Sequence, residues 1–198
     1  LKNSGVQSLL ASLACVVLGM LIGYIVLLFI NPDGKRFMNE ATWVQGKCIG
    51  VMVNGGYDHA WSIFDANFEA DNTDSLQYGG GMFWDTMSRS VTQEFDPAEI
   101  LATVEGEVEQ GNTAWKADTL EDLVKQLGLP DGTLENIQAY NADCEAGEDT
   151  QFHKYPELMI PVSKAPFYGA ASDTSFFLTI LGGLRTDENM RVCDEDDN

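Results

Sequence analysis

The sequence predicts an α+β domain preceded by one transmembrane helix, and three observations carry that reading. Residues 9–30 form an almost unbroken apolar run. Beyond residue 30 the chain turns acidic and Gly-rich, with short β-type runs towards both ends of this part. Between those runs, apolar residues recur at helical spacing. The division that follows is a transmembrane helix over 1–30 and a second domain over 31–198.

At a rise of about 1.5 Å per residue, the apolar run is long enough for a hydrocarbon core of about 30 Å. It has no polar face, which a buried helix of a globular domain would show. A cleaved signal peptide is the rival reading, but its basic region would rest on Lys2 alone and no small-residue cleavage site follows. Gly19 and Gly23 carry the GxxxG spacing of associating helices. Lys35, Arg36 and Lys47 outnumber Lys2 near the ends of the run. By the positive-inside tendency the remainder lies in the cytoplasm. The expectation is a single-pass protein whose partners include the membrane.

Asn31-Pro32-Asp33-Gly34 then sets a tight turn, because Pro32 presets φ and Gly34 accepts positive φ. Residues 48–53 and 60–64 read as short β-type runs divided by Asn54-Gly55-Gly56. Residues 97–110 read as a helix: Pro97 suits the first turn, Asp96 the cap, and Ile100, Leu101, Val104 and Val108 share a face. Asp118-Thr119-Leu120-Glu121 has capping-box form and opens a short helix that Gly128 and Pro130 stop. Thr133 begins another, with Leu134, Ile137, Tyr140 and Cys144 in one stripe and Gly147 as its end. Residues 176–181 read as an apolar strand closed by Gly182-Gly183.

The formal net charge is −20, and no acidic residue precedes Asp33. Such a balance excludes nucleic acid as a partner, since that needs a basic footprint. Cys15, Cys48, Cys144 and Cys193 have neither CxxC nor zinc spacing, so free thiols are expected and no metal site. His59 and His153 are isolated, and Trp43, Trp61, Trp84 and Trp115 read as core before they read as a pocket.

Gly34-Lys35-Arg36-Phe37-Met38-Asn39-Glu40 resembles the GKRFxNE segment of the fumarate reductase/succinate dehydrogenase flavoprotein family. Further segments resemble that family in its own order. They are Ile63-Phe64-Asp65-Ala66-Asn67, the stretch from Ala117 to Leu123, Tyr140-Asn141 with Gly147, Pro166-Phe167-Tyr168 and Leu181-Gly182-Gly183-Leu184. The resemblance implies the capping domain of a fumarate reductase-type flavoprotein with flanking β-strands. It implies FAD as cofactor and hydride transfer between the flavin and an activated C=C bond of a small organic substrate, with a side chain handling the proton.

Carried over residue by residue, the resemblance implies that Glu40 is the relay carboxylate. The proton-donating Arg of the family falls at about Glu69, and its relay Arg within Thr42-Trp43-Val44. The His-Thr pair that grips the substrate becomes Thr179-Ile180, leaving Thr179 to hydrogen-bond a carbonyl. Gly182 and Gly183 match a place where backbone approaches the isoalloxazine closely. These departures disfavour fumarate itself and favour a less charged, enone-like or aromatic-acid substrate. The 198 residues contain no G-x-G-x-x-G for the FAD pyrophosphate. The expectation is therefore a partial flavoprotein that does not retain FAD alone and needs a separate flavin-binding half or electron donor. The alternative is a non-enzymatic membrane-anchored binding module or an inactive gene fragment.

Overall fold

The computed structural model describes residues 27–42, 50–76, 97–111 and 113–173. Their framework is an antiparallel sheet of strands β1 (Leu28–Ile30), β2 (His59–Asp65), β3 (Ala114–Ala117) and β4 (Phe167–Asp173), in spatial order β1-β2-β4-β3. Helices α1 (Phe68–Leu76) and α2 (Pro97–Gln110) precede β3, and α3 (Leu120–Gln126) and α4 (Thr133–Ala146) follow it.

Side chains alternate across the strands and so divide the core into separate clusters. On one face Leu28, Ile30, Ile63 and Phe167 pack against Leu123, Val124, Ile137 and Tyr140 of α3 and α4. On the other, Phe64, Tyr168 and Ala170 meet Phe68 of α1 and Ile100 and Val104 of α2. Phe29 joins Phe37, Met38, Val51 and Ala60 in a third cluster at the junction, the segment 31–40 that follows β1. The sheet is thus covered on both faces. Central strand β4 accordingly carries Gly169, Ala170 and Ala171: a Cβ at Gly169 would lie 2.7 Å from Cδ1 of Leu127.

The three expected helices are found. α2 has the expected bounds and buries Ile100 and Val104. Thr119 caps α3 by accepting the Asp122 N–H, and Gly147 ends α4 in the left-handed conformation at φ 70°. The turn at Asn31 is also as expected, with Gly34 at φ 74° and its N–H donating to the Asn31 carbonyl at 2.8 Å. A Cβ on Gly34 would collide with Thr133 Oγ1, so the turn depends on glycine for contact as well as conformation.

Two expectations are corrected. Leu28–Ile30 is a strand, with Leu28, Phe29 and Ile30 opposite Ile63, Ser62 and Trp61 of β2. A strand buried on both faces has the same continuous apolar sequence as the end of a spanning helix, and composition does not separate them. Most of the expected transmembrane helix, residues 9–26, lies outside the described residues. No helix among the described residues is long and apolar enough to cross a membrane. The second correction concerns 48–53, expected as β-type: Gly50–Asn54 is a π-helical turn that buries Val51 and exposes Met52 and Val53. It closes through the Gly55 N–H on the Gly50 carbonyl at 2.9 Å. The strand expected at 176–181 lies outside the described residues.

Ile137 is fully buried in the α3/α4 cluster, whereas Met52 is 59 % exposed. Ile137→Ala should cost about 2–5 kcal/mol in urea unfolding of the 198-residue chain. Met52→Ala should stay within about 0.5 kcal/mol of the parent.

Candidate functional site

The junction segment that contains Glu40 closes over a buried ion quartet. Arg36 donates through Nε and a terminal nitrogen to both oxygens of Glu40, at 3.0 and 2.9 Å. Its two terminal nitrogens also donate to both oxygens of Asp149, at 2.9 and 3.0 Å. A planar guanidinium alone has the donor geometry for two such forks at once. It also lies over two aromatic rings, 4.5 Å from the Tyr140 ring centroid and 5.1 Å from that of Phe152. Lys154 is the fourth member: its Nζ is 3.3 Å from Glu40 Oε2, and both side chains are fully buried. The quartet holds two positive and two negative charges and is neutral as a unit.

Local chain geometry supplies each member. Arg36 and Glu40 sit four residues apart just beyond the Asn31 turn. Asp149 begins a turn after α4 and accepts the backbone N–H groups of Gln151, Phe152 and Lys154. His153, at φ 55°, takes the left-handed conformation directly before Lys154. The Asn39 amide donates to the Phe152 and His153 carbonyls, at 3.2 and 3.3 Å. Tyr140 of α4 completes the wall, its hydroxyl accepting from Lys154 Nζ and from the Ile160 N–H, each at 3.1 Å. Glu40 further accepts the outward Phe29 N–H of β1 at 3.5 Å, so the site and the sheet edge share one carboxylate.

Electrostatics follow from this packing. Burial works to raise the Glu40 carboxyl, but the Lys154 charge and the Arg36 bonds outweigh it and hold the group below the ordinary glutamate range. Burial likewise opposes ionisation of Asp149, and the Arg36 fork with the Lys154 and Phe152 N–H groups brings that carboxyl well below the usual range. Burial lowers Lys154 despite the nearby Glu40 charge, and raises the Tyr140 hydroxyl and the Cys144 thiol.

Of the residues singled out from the sequence, Glu40 lies in this quartet. Glu69 is exposed on the first turn of α1 and is not part of it. Thr179, Gly182 and Gly183 lie outside the described residues, as do Thr42's neighbours Trp43 and Val44. Cys144 is a half-buried free thiol. Trp61 and Trp115 pack edge to face at 5.1 Å against the α3/α4 cluster, and His59 pairs with Asp58. Sequence reasoning missed Asp149 and Lys154. Asp149 stands 113 residues from Arg36, and its signal was local only: an Asp after a helix-ending glycine, with a lysine five positions on. The buried cations of the described residues, Arg36 and Lys154, are committed to Glu40, Asp149 and Tyr140.

Residues 18–198 match the family described as FAD binding domain. The chain is 32% identical over 169 residues to vinyl phenol reductase of Lactiplantibacillus plantarum, a match covering 85% of this chain and 33% of that protein. It is 32% identical over 171 residues to NADH:acrylate oxidoreductase of Vibrio harveyi, covering 85% of this chain and 14% of that protein. The chain therefore spans a third or less of the length of these relatives. Among solved structures, 3-ketosteroid delta1-dehydrogenase from Sterolibacterium denitrificans shares the fold. Its TM-score is 0.60 at 24% identity, covering 86% of this chain and 30% of that one.

The depressed carboxyls fix the sign of a pH effect. A group whose folded pKa lies below its unfolded value adds stability above about pH 4, and loses it as pH falls towards the folded value. Glu40 and Asp149 both act in this direction. Stability in urea should therefore fall steadily below about pH 5. Asp149→Asn should flatten that slope and cost about 3–5 kcal/mol at pH 7, because the buried Arg36 then keeps only one carboxylate. An unchanged acid slope in Asp149→Asn would show that the quartet does not set it.

Proposed function

The chain belongs to the FAD binding domain family, and from that premise we propose that it is part of an FAD-dependent oxidoreductase acting on an activated C=C bond of a small organic substrate. The family supplies the cofactor class, and two relatives bear names that specify vinylic compounds, a vinyl phenol and an acrylate. FAD, when bound, supplies the hydride chemistry.

The observation that carries this chain's role is Glu40, a fully buried carboxylate held between two cations in the GKRFMNE segment. Burial and the two salt bridges fix the position of its carboxylate oxygens, which a group that handles a proton at a defined place requires. In the same reading Thr179 hydrogen-bonds a substrate carbonyl, and Gly182 and Gly183 let backbone approach the flavin. A weakly charged substrate suits the chain better than a dicarboxylate. Its net charge is −20, and both buried cations of the quartet already have carboxylate partners.

The test pairs the chain with a flavin-bearing portion of the protein and follows single-turnover reduction. Glu40→Gln should slow the proton-dependent step by about 10²–10⁴-fold while changing substrate binding far less. Glu69→Gln should stay near the parental rate, since Glu69 is exposed and outside the quartet. Parental rates for both variants would sink the proton-handling role and leave Glu40 as a structural residue. Without the added portion, the purified chain should lose its flavin absorbance on dialysis, because its sequence carries no G-x-G-x-x-G.

A further inference from the structure

Arg36 and Lys154 both face Glu40, but they are not equivalent. Arg36 divides its fork between Glu40 and Asp149, so its single charge serves two carboxylates. Lys154 touches only one of them with its side chain, at 3.3 Å from Glu40 Oε2, and turns another N–H to the Tyr140 hydroxyl at 3.1 Å. Without Lys154 the site would hold two carboxylates against one guanidinium, a net charge of −1 in a place closed to water. A charge left uncompensated there is costly, and the cheapest response is for a carboxylate to take up a proton. Asp149 is guarded against this by three backbone N–H groups in addition to Arg36. Glu40 has less backbone support, from its own N–H and from the Phe29 N–H at 3.5 Å. The proton would go to Glu40.

We propose that Lys154 is the positioning residue for Glu40: its buried ammonium keeps the carboxylate ionised and fixes Oε2, and ties both to Tyr140. This deepens the function proposed above and rests on it, since it assigns the residue that sets Glu40's protonation state. The charged and titratable groups around the pair are Arg36 and Asp149 on one side and Tyr140 and Cys144 of α4 on the other. Arg36 does not deprotonate, whereas a buried lysine can. Lys154 is therefore the cation of the quartet whose own state can vary with pH.

The experiment uses the 198-residue chain with carbon-13 at glutamate side-chain carboxyls, observed by NMR between pH 2 and 8. The Glu40 signal is the one absent from Glu40→Gln. Lys154→Met should raise its titration midpoint by about 1–3 pH units, the usual effect of removing an opposite charge at this range. Lys154→Arg, which keeps the charge, should leave the midpoint low. A merely structural lysine would lower stability in Lys154→Met without moving that midpoint, and an unmoved midpoint overturns the inference. Should Lys154→Met not fold, the converse reading decides. In chain labelled with nitrogen-15 at lysine Nζ, Glu40→Gln should lower the Lys154 midpoint, because the carboxylate that offsets burial is gone. An unchanged Lys154 midpoint overturns the inference equally. Failure of the functional reading looks different: Glu40→Gln at the parental rate removes the proton-handling role, while shifted midpoints still uphold the coupling of Lys154 to Glu40.

Discussion

The closure of the candidate site depends on one desolvated guanidinium. Arg36 lies inside the protein with its fork shared by Glu40 and Asp149, two residues brought together from either end of the described fold. A charge in that position needs both acceptors, because desolvation opposes it and neither carboxylate alone fills all its donors. Satisfying it therefore brings the segment after β1 against the turn after α4. The Asn39 amide, bonded to the Phe152 and His153 carbonyls, reinforces the same closure. Glu40 also reaches the Phe29 N–H of β1, which ties the site to the sheet.

The sheet behind this closure has its own organising carboxylate. Asp65, at the end of β2, accepts the N–H groups of Asn67, Ser163 and Lys164. Those bonds hold the entry to β4 against the exit of β2, setting the register in which Asp65 stands opposite Phe167. Helices pressing on both faces of β4 leave room only for small side chains at Gly169 and Ala170, with Leu127 on one side and the α2 cluster on the other. Phe64 stacks on Tyr168 at 5.2 Å, and Tyr168 in turn donates to Glu105 of α2. The sheet is thereby closely packed on both faces, and core side chains at native density transmit displacement instead of absorbing it.

What the sequence revealed divides along physical lines. α2, α3 and α4 were legible because each has apolar residues at helical spacing and punctuation at its ends, Pro97, Thr119 and Gly147 among them. The Asn31 turn was legible for the same local reason. β1 was not, because Leu28, Phe29 and Ile30 continue an apolar run and a doubly buried strand has no alternation to show. β3 and β4 were missed because alanine and glycine have poor strand propensity. Their small size is dictated by helices packed across the sheet, which is tertiary information. At the site, Glu40 was found through the motif it shares with a family. Lys154 and Asp149 were not, since no local pattern reveals a partner more than a hundred residues away.

The neutrality of the quartet explains how such a site coexists with a chain carrying a net charge of −20. Surface carboxylates act through water and are screened within about 10 Å at ordinary ionic strength. The four buried groups interact at about 3 Å, where screening by salt does not reach. Their balance is therefore local, and the acidic surface neither supplies nor disturbs it. The same separation has a consequence for recognition. Because the quartet's own charges cancel, it adds no net field to offset the repulsion that the acidic surface exerts on an approaching anion. Of the two cations in the quartet, Lys154 is the one that can alter that balance, because losing its proton leaves the unit negative while Arg36 stays charged.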